Sequence, residues 1–492
     1  MLNTLKNAMN TAWTENGART HATSLSDCLD LFFRAGGMRY ADPTEIESLV
    51  LRAYAENPVY TLKTLFFIRD IRGGMGERRF FRIAMQMLAK HAPEAVLRNV
   101  ELFAEYGRYD DLLVLLDTSC GDAAIAVIRE RLNADLAAMQ EKKPASLLAK
   151  WLPSVNASNP DTCAAGKRVA KLLHMQEKEY RKTLSALRKY TDILENRLRE
   201  SDYTFDYAKL PSCAMLKYRA AFVRNDGERY GEFLAAVKAG KQTIHAGTLY
   251  PYDIIRACRK GDYSFNSVTA AEKEALDAAW NALPVYGAAE ENAIAVVDGS
   301  GSMYGGCGTL LPIDTALSLG IYFAEHNKGA FANHFITFSY KPQMVEIKGK
   351  QIADKAAYCA RFNEAANTNL EAVFRLILDT AVKERVPQEE MPAKLYIISD
   401  MEFDYCVLGG NQQPLFDEMQ QLYAENGYRL PEIVFWNVAS RNSNVPVTMS
   451  QTGAALVSGA SPAVFDIVTG GDLSPLRIME EAILSERYAP VC

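Results

Sequence analysis

Near residue 286 the hydrophobic period of the chain changes, and that change limits the possible folds more than any other feature. Beyond it, four short runs are rich in β-formers: AIAVVD (293–298), FANHFITFS (331–339), KLYIISD (394–400) and PEIVFWNV (431–438). Between them lie the helical segments PIDTALSLGIYFAEHN, NLEAVFRLILDTAVKERV and PLFDEMQQLYAENGY. Near-continuous apolar strands alternating with helices predict a parallel sheet covered on both faces, a doubly wound (Rossmann-like) α/β domain over 287–492. Ligands of such sheets sit at the carboxyl ends of the strands.

Residues 1–286 read as helix after helix. PTEIESLVLRAYAEN starts at Pro43 and sets Ile46, Leu49, Val50 and Tyr54 on one face. VYTLKTLFFIRDIRGG places Leu62, Leu65, Phe66 and Arg69 at helical spacing and stops at two glycines, a helix-ending signal. ERRFFRIAMQMLAKHAP, EAVLRNVELFAEYG and YDDLLVLLDT repeat the pattern, and strand signals are nearly absent. An all-α array of stacked helix pairs, a HEAT-like solenoid, is expected here, ending near WNALPVYGAAEENA (280–293). A chain of 492 residues exceeds one core, so two or three domains are expected.

No stretch of 18 apolar residues is present, so no membrane span is expected, and the start MLNTLKNAMNTAW does not read as a signal peptide. The nine cysteines are scattered singly with no C-x-x-C, which argues against zinc and a disulfide frame and for a reducing, cytoplasmic setting. The six histidines are isolated as well. No G-x-S-x-G, Cys/His pair or phosphate loop appears, so an enzyme is not expected. Charge is split along the chain. Residues 1–286 hold 40 Lys+Arg against 35 Asp+Glu, and residues 287–492 hold 14 against 25. Different partners for the two halves would explain this, as would mutual docking.

Two basic stretches stand out in the first half. Residues 162–201 carry Lys167, Arg168, Lys171, Arg181, Lys182, Arg188 and Lys189 among others. They suit either a nucleic-acid surface or solvated helix faces with ion pairs. Around the turn RGGMG, Arg69, Arg72, Arg78, Arg79 and Arg82 gather. This turn would present backbone N–H groups and arginines to phosphate. Alternatively it is a tight hairpin turn, with Arg69 and Arg72 paired to Asp70, Glu77, Asp110 or Asp111.

In the second half, VVDGSGSMYGG (297–307) follows the first strand directly. Asp298, Ser300 and Ser302 form D-x-S-x-S, with Gly299 and Gly301 letting the loop fold tightly. Mg²⁺ takes about six oxygen ligands and keeps some of its water. Two hydroxyls would bind it directly and a carboxylate would supply charge. Thr368, just before the helix near Leu370, and Asp400, closing a strand, offer further oxygens. The plainer reading is a polar loop with Ser302 as a helix cap. Glu402 and Asp404 lie nearby and read either as rim residues of such a site or, more simply, as solvated carboxylates.

D-x-S-x-S, a threonine before a helix and an aspartate closing a strand resemble, in that order, the metal-ion-dependent adhesion site (MIDAS) of von Willebrand factor A domains. The resemblance implies Ser300, Ser302 and Thr368 as hydroxyl ligands and Asp298 and Asp400 acting mostly through water. One coordination position would be left for an acidic group of a protein partner. LFFIRDIRGGMGERRFFR and YGRYDDLL resemble the helical-repeat (TROVE) module of the Ro autoantigen proteins. The whole chain is similar to an uncharacterised family that joins such a half to a von Willebrand A domain, with phrases such as SDMEFD and PEIVFWN. Kinship with Ro implies binding of small structured or single-stranded RNA by the basic helices, in RNA quality control or stress. The alternative is an adaptor that binds an acidic partner through the cation and takes no RNA.

Overall fold

The computed structural model describes residues 9–259, 265, 268–286, 292–305, 310–339, 341–363, 368–404, 415–468 and 473–492. Helices dominate up to residue 281. Their starts follow local chemistry. Ser26 accepts from the Leu29 N–H ahead of the Asp27–Ala35 helix, and Asp42 and Asn57 cap the Pro43–Glu56 and Pro58–Arg69 helices. In the last two, proline occupies the first turn, where its missing N–H costs nothing. The Pro58–Arg69 helix is buried on nearly every side, because helices from both halves surround it.

The second half is a six-stranded sheet. Its strands are β3 (Ala293–Asp298), β4 (His334–Phe338), β5 (Met344–Glu346), β6 (Lys394–Ser399), β7 (Glu432–Asn437) and β8 (Ala454–Ser458). The order is β5-β4-β3-β6-β7-β8, all neighbours parallel except the antiparallel edge pair β4–β5. The sheet is therefore mixed rather than wholly parallel. β3 and β6 are buried along their whole length, which explains their unbroken apolar runs. The chain leaves the centre on one side through β4 and returns on the other through β6, so the strand order reverses between β3 and β6. A crevice opens at such a reversal.

The first half is not wholly helical. β1 (Thr11–Trp13) and β2 (Arg19–His21) form an antiparallel hairpin that lies against the second half, with bridges from His21 to Val445 and from Gly17 to Asp404. One hydrophobic core runs across residue 286, joining Phe32, Phe66 and Tyr106 to Trp436, Ile478 and Tyr488. At the seam the backbones nearly touch. A Cβ on Gly36 would lie 2.3 Å from the Gly459 nitrogen, and one on Gly37 would lie 2.5 Å from the Ser440 nitrogen. Glycine is required there by contact distance. A separate aromatic cluster, including Tyr207, Phe222, Tyr230 and Phe233, holds the helices of residues 194–244 together. The helical path then returns to its beginning: the Tyr250 hydroxyl donates to the Ile71 carbonyl at 3.4 Å, and Arg39 lies over the Tyr252 ring.

Candidate functional site

β3 ends at Asp298 and β6 at Ser399, so Asp298 and Asp400 emerge side by side at the reversal point. Asp298 is fully buried. Its carboxylate accepts from the Ser300 N–H (2.9 Å) and from the Ser399 hydroxyl (2.6 Å). Burial, and next the charge of Asp400, push its carboxyl up to about 7. The Ser300 and Ser302 hydroxyls are 3.0 Å apart. The Thr368 hydroxyl donates to the Glu402 carbonyl at 2.8 Å, and its oxygen lies 3.5 Å from the Asn16 Nδ2 donor. Asp400 accepts from the Glu402 N–H and from Arg441 Nη1, each at 3.2 Å.

Ser300, Ser302, Thr368 and Asp404 line one cavity of about 920 Å³ between the two halves. Thr368 thus opens onto the same cavity as Ser300 and Ser302. Met401, between Asp400 and Glu402, sits at φ +67°, a left-handed conformation unfavourable for a side chain of its kind. Beyond this turn Asp404 reaches the cavity wall, while Asp400, Met401, Glu402 and Phe403 stay buried. Among the described residues, no group of three or more His, Cys, Asp or Glu is placed to hold a metal ion. A cation at this edge would rest on three hydroxyls with two carboxylates behind them. Such an all-oxygen set suits Mg²⁺, which keeps several of its waters.

Glu402 is not a solvated rim residue. It is 3% exposed, accepts from the Glu15 N–H (2.7 Å) and Asn442 Nδ2 (3.0 Å), and burial raises its carboxyl above the usual range. Sequence reasoning missed Glu15, Asn16, Ser399, Arg441 and Asn442. Ser399 was next to a chosen residue. The N-G pair at 16–17 was a hairpin signal, but nothing local shows that the hairpin reaches the sheet edge.

The basic candidates separate into two groups. Arg69 is 2% exposed and paired with the fully buried Asp111 at 2.7 Å, so it cannot reach a phosphate. Arg82 is paired with Asp110 and Asp111. Arg188 is bonded to Ser154 and to the carbonyls of Ala149 and Leu152. Buried carboxylates and carbonyls need donors, and these three arginines supply them. Arg72, Arg78 and Arg79 face solvent, though Arg79 donates to the Ala41 carbonyl and Arg72 to that of Glu105. Lys167, Arg168, Lys171, Arg181, Lys182 and Lys189 are exposed on the Pro160–Leu172 and Glu177–Tyr190 helices. Two of them are paired, Lys167 with Glu177 and Arg168 with Asp117.

Residues 14–128 and 158–285 match a family described as a domain of unknown function, DUF2828, and residues 292–475 match another, DUF7788. An uncharacterized protein of Acanthamoeba polyphaga mimivirus is 26% identical over 512 residues, spanning 96% of this chain and 86% of its own length. Among solved structures, the Deinococcus radiodurans Ro (RSR) protein aligns with 94% of this chain and 100% of its own, at 14% identity and a TM-score of 0.47. No helix among the described residues is long and apolar enough to cross a membrane.

Proposed function

We propose that the chain is a Ro-like RNA-binding protein whose second half, of the von Willebrand A type, holds a divalent cation. The observation that carries RNA binding is a set of exposed cations on two helices of the first half. Lys171, Arg181, Lys182 and Lys189 are exposed on consecutive helices and, among the described residues, have no ion-pair partner. Unpaired cations on a rigid helical surface release counterions when they meet phosphate, and that release drives binding. The test is fluorescence anisotropy with a labelled RNA hairpin and a labelled single strand at 50 and 200 mM salt. Replacing all four residues by alanine would lower the slope of log K against log salt by about 3. No binding at 50 mM salt, or a slope that does not change, would exclude RNA as the ligand of these helices.

A second reading, an adaptor that captures an acidic partner, is supported by the placement of Ser300, Ser302 and Thr368 on the wall of one cavity, with Asp298 and Asp400 at the ends of the neighbouring strands β3 and β6. Ser300, Ser302 and Thr368 would hold Mg²⁺ directly, and Asp298 and Asp400 through water. The ion would supply an attachment point for an anionic oxygen, so the proposed role is binding and not turnover. The two readings use different halves and are compatible. Partner capture that survives both EDTA and Thr368→Ala would exclude the second.

A further inference from the structure

The turn of the β1–β2 hairpin, residues 14–17, bonds residue by residue to the segment that follows Asp400. The Thr14 hydroxyl donates to the Phe403 carbonyl at 2.6 Å. The Glu15 N–H donates to the Glu402 carboxylate at 2.7 Å. Asn16 Nδ2 donates to the Glu402 carbonyl at 2.8 Å and lies 3.5 Å from the Thr368 hydroxyl oxygen. Gly17 bridges to Asp404. The Glu402 carbonyl therefore accepts from Asn16 and from Thr368 at once, tying the hairpin to a residue proposed as a cation ligand.

This registration puts the Glu15 side chain on the wall of the cavity that Ser300, Ser302 and Thr368 line. Its carboxylate accepts from Asn442 Nδ2 at 3.2 Å and pairs with Arg441. The same Arg441 guanidinium bonds Asp400 at 3.2 Å. One positive charge thus bridges two carboxylates, with Asp298 and Glu402 close behind. A divalent ion at this place would bring two charges where the guanidinium brings one. Glu15 is 42% exposed, so its side chain has room to turn from Arg441 toward an ion, whereas Asp400 and Glu402 are fixed by burial.

We propose that Glu15 is a ligand of the cation, the acidic group that the ion takes from within the chain. The proposal rests on the cation reading above. Arg441 then competes with the ion for the Glu15 and Asp400 carboxylates. An external carboxylate would have to displace Glu15, which makes the N-terminal hairpin a competitor of any acidic partner.

The test is calorimetric titration of Mn²⁺ into the full chain, its Glu15→Gln variant and its Arg441→Ala variant, with melting of each in EDTA. Ligation by Glu15 lowers Mn²⁺ affinity about tenfold or more in Glu15→Gln, while Arg441→Ala binds as tightly as the parent or more tightly. A Glu15 that only anchors the hairpin through Arg441 makes the two variants alike. Equal weakening in both, or no change in Glu15→Gln, overturns the proposal and leaves the cation reading standing. No Mn²⁺ binding by the parent chain removes both.

Discussion

Asp70 ends the Pro58–Arg69 helix at the seam between the halves and is fully buried. Its carboxylate accepts from the Arg72 N–H (2.9 Å), from the Tyr488 hydroxyl (2.9 Å) and from Arg487, whose Nη2 lies at 2.8 Å. Tyr488 in turn stacks on Tyr106 and meets the edge of Phe67. Asp70→Ala leaves the Tyr488 hydroxyl without its acceptor and strips Arg487 of its counter-ion. Breaking a buried ion pair from one side costs about 3–5 kcal/mol. The Arg487 side chain is 35% exposed and reaches water, so the lower end, about 3 kcal/mol, applies here. Urea unfolding followed by circular dichroism measures this, and a cycle with Arg487→Met isolates the pair, with an expected coupling of about 1–3 kcal/mol. A loss below about 1 kcal/mol in Asp70→Ala, or additive single variants, would show that this carboxylate does not lock the halves.

Asp30 gives a pH dependence away from the cation site. Burial pushes its carboxyl up to about 6 from 3.8, so the folded chain binds a proton more tightly than the unfolded one. The contribution of Asp30 to stability should therefore be greatest below pH 4 and be lost as pH rises through 6, by up to about 3 kcal/mol, so the stability difference between parent and Asp30→Asn should change across this range in melts. Gly36→Ala drives a methyl group into the Gly459 backbone and should cost about 1–3 kcal/mol or more, read as a lower melting temperature. Gly227→Ala, which meets nothing within 4 Å, is the matched control and should melt like the parent.

The central strands were legible because they are buried on both faces, and AIAVV in one and LYII in the other are unbroken apolar runs. β8 escaped notice because AALVS is short and half small residues, and β5 because three residues with one buried side chain carry no pattern. The hairpin near the N-terminus was hidden for another reason. Its strands are three residues long, and its partners are Val445 and Asp404, some four hundred positions away. In the candidate site, Asp298, Ser300 and Ser302 were readable from adjacency, and Thr368 and Asp400 from their places at element boundaries. Arg441 and Glu15 meet Asp400 through tertiary contacts alone. For the basic residues, composition cannot distinguish a buried arginine from a solvated lysine. Arg69 has its partner 42 positions away in Asp111, while Lys171 carries the same charge into solvent.

Hydroxyls from two separate segments and two carboxylates are proposed to serve one ion. Electron paramagnetic resonance of Mn²⁺ titrated into the purified chain tests this directly, because only the free hexaaqua ion gives the sharp six-line signal. The signal is expected to be suppressed up to one equivalent in the parent and restored in Thr368→Ala, with Mg²⁺ competing for the site. A free-ion signal from the first addition, or suppression unaffected by Thr368→Ala, would contradict that proposal.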